Sequence, residues 1–459
     1  ETLRKSLRDS AAARWTALLI VSFTMMCGYF LSDVLSPLVG LLESQLSWTR
    51  ADYGIYTSSY GWFNVFLLML IFGGIILDKL GIRITGLGAT ALMVIGTAIK
   101  YWAISTNTLD GTILFGLKAQ LFWACIGFAV FAVGVEVSGI TVSKIIVRWF
   151  KGKEMATAMG MQVALARVGT ALALGFSVPI ARATGIIDVS RPVLVALIAL
   201  CIGLISFLVY MVMDKKLDAS EVSDVLEESD HEDEFKISDI GKILTNKGWW
   251  YIAILCVLFY SAVFPFLKYA TDLMVNKFGV DQNIAGLIPM LLPFGNILLT
   301  PLFGGIYDKR GKGASIMIIG SILLIIVHAL FSVPGLNNWI IAMILVVLLG
   351  VAFSLVPSAM WPSVPKIVPE KRLGTAYSLI FWVQNWGLMG VPLLIGWVLE
   401  KYCVTGQTMR DGLMVNTYDY TLPMMIFTGF GLLALIFAFL LKAEDKKKGY
   451  GLESPNIQH

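Results

Sequence analysis

The chain has 459 residues, 57% of them hydrophobic and 14% charged, with a net charge of +4 and a mean hydropathy of +0.78. These values exclude an ordinary soluble domain, and no basic run interleaved with aromatics supports nucleic-acid binding. Five cysteines without CxxC spacing and three scattered histidines suggest neither a disulfide frame nor a metal site. No nucleophile–base constellation points to an enzyme, so no cofactor is expected.

Stretches of about 20 mainly apolar residues cross a bilayer as helices. They fall near 15–40, 53–77, 84–105, 114–147, 154–178, 192–213, 249–273, 284–306, 314–333, 338–362, 374–399 and 420–442. The expected fold is an all-α membrane protein with twelve transmembrane helices in two six-helix bundles, residues 1–213 and 248–459. The polar stretch 214–247 reads as a solvated linker ending in an amphipathic piece around Phe235–Leu244. Pro37 in the first span and Pro265 in the seventh are expected to break their helices.

One loop occurs twice. Gly74-Ile-Ile-Leu-Asp78-Lys79-Leu-Gly81-Ile-Arg83 recurs as Gly304-Gly-Ile-Tyr-Asp308-Lys309-Arg310-Gly311-Lys312, at the same place in each half. Such a repeat in a very hydrophobic chain implies two pseudo-symmetric lobes that move against each other, with Gly74, Asp78, Arg83, Asp308 and Lys309 as conformational residues. Most Lys and Arg fall in loops on the amino-terminal side, among them Arg4, Arg14, Lys79, Arg83, Arg148, Lys151, Lys309, Arg310 and Lys371. The opposite loops hold Arg50, Arg182, Arg191, Lys277, Lys401 and Arg410. This bias predicts both termini and the linker in the cytoplasm.

Charges inside the spans are costly and usually face a polar cavity. Glu136 lies 15 residues before Lys151 and Arg167 lies 16 after it. The two therefore stand at one depth on adjacent helices, about 22–24 Å along each from the turn. Either they receive the ammonium and carboxylate of a substrate, or they pair with each other. Lys144 is expected to snorkel, and Lys100 and Lys118 to sit at the interface. Asp33 and Lys268 occupy corresponding first spans and are expected to meet when the outside is closed. Lys268 with Asp272, at i,i+4 spacing, is the competing pair. Tyr60, Trp62, Asn64, Tyr260, Trp361, Gln384 and Asn385 complete the candidate substrate pocket.

Further segments resemble one family. They are Tyr60-x-Trp62-x-Asn64-Val65, Arg148-Trp149-Phe150-Lys151-Gly152-Lys153-Glu154, Ala166-Arg167-Val168-Gly169, Ala262-Val263-Phe264-Pro265-Phe266, Trp361-Pro362 and Leu373-Gly374-Thr375-Ala376-Tyr377 with Gln384-Asn385. Together with the repeated loop they resemble the lysosomal dipeptide transporters of the major facilitator superfamily and their prokaryotic relatives, over nearly all twelve spans. The resemblance implies dipeptide transport by alternating access, with Glu136 contacting the amino end and Arg167 the carboxyl end. Lys268 departs from that pattern, in which a small residue stands there. The alternative reading is a proton-coupled symporter of organic anions, with Arg167 as anion site and Glu136 as protonatable group. The Glu-x-x-Glu-Arg motif of proton-coupled oligopeptide transporters is absent from the first span. The chain has no Asn-x-Ser/Thr sequon and no acidic dileucine signal near its start. A bacterial inner membrane is therefore expected, with the lysosomal membrane as the alternative. A monomer without an accessory subunit is expected.

Overall fold

A computed structural model describes residues 6–150, 154–221, 236–369 and 372–455. Arg4, Lys151 and Lys371, the 151–153 turn and most of the acidic part of the linker lie outside the described residues. Eleven helical stretches among the described residues are long and apolar enough to cross a membrane. The twelfth span comes from a turn inside one of them. Met69–Ser105 is helical by hydrogen bonding, but Gly81 sits at φ 79°, ψ 175°, a conformation that only glycine adopts readily. Residues 69–80 therefore complete the second span and 82–105 form the third. In the second copy of the loop, Gly311 (φ 71°, ψ −140°) ends Leu291–Arg310 and Lys312 (φ 67°) starts Gly313–Ser332. Both copies thus reverse the chain between consecutive spans.

The first span runs Ala11–Asp33, a 3-10 turn Ser36–Leu38 at Pro37, then Val39–Leu46. Next comes Arg50–Ser58, opened by a capping box in which Thr49 and Asp52 exchange side-chain and backbone hydrogen bonds. The expected continuous second span is in fact interrupted: Trp62–Phe66 ends before Leu68, whose φ is 54°. No Gly or Pro occurs between positions 62 and 72 to mark this break. The Val65 carbonyl there accepts the Trp382 indole N–H at 3.2 Å. Ala119–Phe150 and Met155–Ala181 follow as the fourth and fifth spans.

The sixth helix, Ser190–Glu221, continues beyond the expected 213. Asp214 and Asp218 stay on its face because Arg83 and Arg148 reach both. The short helix Ile237–Leu244 precedes the second lobe. That lobe begins with Lys247–Ser261 and Phe264–Phe278, separated at Ala262–Val263 just before Pro265. Trp339–Ile367, Leu373–Tyr402 and Thr421–Lys448 complete it. Between its last two spans lies an element the sequence reading lacks, an antiparallel hairpin of Val404–Arg410 and Leu413–Tyr418.

The lobes meet along pseudo-symmetric pairs. The second span packs on the eleventh and the fifth on the eighth, and the first meets the seventh at the Pro37 turn. Isoleucines and leucines such as Ile198, Ile205, Leu298 and Ile344 remain exposed on the outer faces, as a helix bundle solvated by lipid requires.

Candidate functional site: a central cavity closed at one end

A cavity of about 1110 Å³ lies between the lobes. It is lined from Asp33 and Lys268 at the hairpin end to Asp78, Lys144 and Gly374 at the motif-loop end. Seven of the proposed pocket residues line it: Glu136, Arg167, Tyr60, Tyr260, Lys268, Trp361 and Gln384. Glu136 and Arg167 make no ion pair with each other among the described residues. Glu136 instead accepts a hydrogen bond from the Tyr60 hydroxyl. The Arg167 guanidinium lies over three rings: Tyr29 at 5.5 Å, Phe264 at 5.2 Å and Phe353 at 5.4 Å. Aromatic faces attract a cation without neutralising it, so its hydrogen-bond donors remain free for an anion. On the opposite wall Trp361 Nε1 donates to Tyr260 Oη at 3.0 Å.

Three candidates are corrected. Trp62, Asn64 and Asn385 do not line the cavity. Trp62 Nε1 turns back to Ser58 Oγ at 3.3 Å. Asn64 and Asn385 are buried in helix packing, where Asn385 Nδ2 donates to the Phe381 carbonyl. Sequence position gives a residue's depth in the membrane but not the face it presents. The aromatic ring set around Arg167 was missed, because Tyr29, Phe264 and Phe353 carry no polarity signal within apolar runs.

The hairpin end is closed by charge. Lys268 Nζ contacts Asp33 Oδ1 at 2.6 Å and also donates to the Ser32 carbonyl at 2.7 Å. Asp272 is not held by Lys268. Arg50 binds it in bidentate fashion, Nη2 to Oδ1 at 2.8 Å and Nε to Oδ2 at 2.9 Å, and Tyr420 donates to it as well. Arg50, expected in a loop, is wholly buried and also bridges Glu43 at 2.6 Å. A Thr49 cap placing Arg50 at the first helical position was the available signal. The hairpin joins the closure. Asn416 N donates to Glu43 at 2.9 Å, and Arg182 grips Asp411 through two hydrogen bonds of 2.9 and 2.7 Å.

At the motif-loop end the pattern differs. Asp78 takes Lys144, and Arg83 binds Asp218 at 2.9 Å; both are contacts within one lobe. Asp308 is engaged in the second copy, while Lys309 is exposed. Among the described residues no ion pair joins the lobes at this end. Lys100, expected at an interface, is instead fully buried.

Two six-helix lobes around a central polar cavity are the architecture of a membrane transporter. The chain belongs to the Major Facilitator Superfamily, whose family model matches residues 18–392 and 273–456, and it is a multi-pass membrane protein. The human lysosomal dipeptide transporter MFSD1 is 27% identical over 405 residues, covering 85% of this chain and 81% of that protein. Two solved transporters share the fold. A bacterial homologue of the human lysosomal transporter Spinster, inward-facing and unoccupied, matches with a TM-score of 0.70 and 15% identity over 95% of this chain and 98% of that one. The nucleoside transporter NupG matches at 0.63 and 15%, over 94% and 98%.

Proposed function

We propose that this transporter carries dipeptides, bound as zwitterions between Glu136 and Arg167. The observation that supports this is a charge count. The cavity wall carries Asp33, Asp78, Glu136, Lys144, Arg167 and Lys268. Four of these are consumed in the pairs Lys268–Asp33 and Lys144–Asp78. The remaining acid and base are held apart, one on a hydroxyl and the other on aromatic faces. A ligand with one ammonium and one carboxylate satisfies both. Two extended residues span roughly 7 Å, a ligand length that separated charges suit and that direct pairing of the two would exclude. The curated relative in human is named as a dipeptide transporter, which supports the same reading.

In this reading the structure faces the cytoplasm. The basic motif loops lie on that side, and the hairpin end is outside. The membrane is a bacterial inner membrane, with the lysosomal membrane as the alternative, and the chain works as a monomer. Its two lobes are residues 1–213 and 248–459. Substrate arrives between the lobes, its charged ends draw Glu136 and Arg167 to a common ligand, and the lobes rock about it.

Thermal shifts of the purified protein against dipeptides, free amino acids and dicarboxylates test the assignment. Dipeptides should stabilise the parent and fail to stabilise Glu136→Gln and Arg167→Ala. Stabilisation by dicarboxylates alone, lost only in Arg167→Ala, would replace the dipeptide with an organic anion.

A further inference from the structure

We propose that Lys100 is a second partner for Asp33, taking over its carboxylate when the lobes part at the hairpin end and Lys268 withdraws. This goes beyond the substrate assignment and needs only alternating access. Asp33 and Lys100 belong to the same lobe, on the first and third spans, whereas Lys268 is on the seventh. Opening therefore removes Lys268 but leaves Lys100 in place.

Lys100 is wholly buried and its Nζ has no hydrogen-bond partner. It lies 5.0 Å from the Tyr56 ring centroid and 4.9 Å from that of Phe128. Tyr56 Oη is also buried without a partner. Among the described residues, the charges whose fields act on Lys100 are those of Lys268 and Asp33. Phe128, beneath the amine, itself lines the cavity along with Asp33. A buried amine without an acceptor is costly, and packing alone is better served by an apolar side chain. The nearby carboxylate is already taken: Asp33 Oδ1 receives Lys268 at 2.6 Å.

One acid thus shares its surroundings with two bases that belong to different lobes. Losing Lys268 alone would leave Asp33 uncompensated in a low-dielectric wall and oppose opening. Transfer to Lys100 removes that opposition, and in the same step gives Lys100 its missing partner. Lys100 acts here as a positioning residue, through Asp33 and without touching substrate.

Opening can be read without any substrate, so a failed dipeptide assignment would leave the measurement intact. Ser36 is buried at the closed end. Ser36→Cys in proteoliposomes is labelled from the hairpin side with a membrane-impermeant maleimide; the parent without that cysteine supplies the blank for the native thiols. Lys268→Met should accelerate labelling. Lys100→Met should slow it about tenfold, the scale of coupling between neighbouring charges, and Lys100→Arg should keep the original rate. In an Asp33→Asn background, Lys100→Met should change nothing. Lys100→Gln serves the same comparison if the Met variant does not fold. An unchanged rate in the neutral Lys100 variant, or equal slowing with Asp33→Asn, overturns the proposal.

Discussion

With its side chain wholly buried, Arg50 holds Asp272 through two parallel hydrogen bonds and Glu43 through a third contact. The same side chain lies 4.4 Å from the Tyr418 ring centroid. A buried ion pair adds little net stability over an apolar pair, but losing one partner strands the other. Arg50→Met should therefore cost the closed form about 3–5 kcal/mol. Adding Asp272→Asn should recover much of it, a non-additivity that thermal unfolding of the two purified variants will show. At this scale the sequence was informative about depth and weak about direction. Glu136 and Arg167 could be placed at one level by counting residues. That they would turn to Tyr60 and to three aromatic rings depends on neighbours brought in by other spans. Asn64 shows the opposite case, a mid-span amide whose polarity suggested the cavity while its helix turned it into packing.

The two loop copies make a comparison at the scale of elements. A methyl group added at Gly81 would meet nothing within 4 Å, so Gly81→Ala carries only backbone strain, about 1–3 kcal/mol. At Gly311 it would also lie 2.5 Å from the Glu453 carbonyl oxygen. The carboxyl-terminal segment packs there, with Lys312 N and Gly313 N donating to the carbonyls of Glu453 and Leu452. Gly311→Ala should therefore lower the unfolding temperature more than Gly81→Ala. The hairpin responds to acid. Arg182, through its hydrogen bonds, holds the Asp411 carboxyl below the usual carboxylate range. A depressed folded value means its stabilisation is complete above the unfolded value of about 3.9 and is lost as pH falls through the lower folded one. Between pH 5 and pH 3 the parent should lose more thermal stability than Asp411→Asn. The spans were legible because apolar length suffices to find them. The hairpin was not, since its short polar strands lie outside the bilayer and resemble a loop in composition.

At the scale of the molecule, glycine lets the two lobes approach closely. A Cβ at Gly396 would stand 2.4 Å from the Arg50 carbonyl oxygen and 2.9 Å from Gly54 Cα. Gly54 and Gly396 lie on the second and eleventh spans, one in each lobe, so bulk here acts as a wedge. Gly396→Ala should favour opening at the hairpin end, measured as faster labelling of Ser36→Cys than in the same protein with Gly396 intact. The two-lobed plan followed from the duplicated loop and twelve apolar runs. Which end is shut did not, because closure depends on Arg50, Asp272, Arg182 and Asp411, which become partners only once the lobes are packed.

The fastenings at the closed end are also graded in their access to water. The side chains of Arg182 and Asp411 are 24% and 30% exposed, those of Lys268 and Asp33 15% and 12%, and those of Arg50 and Asp272 0% and 1%. Dissolved ions weaken exposed pairs and barely reach buried ones. Rising ionic strength thus loosens the rim while leaving the innermost lock intact. Added salt should therefore loosen the gate from its wet edge inward, with the Arg50–Asp272 pair the last to respond.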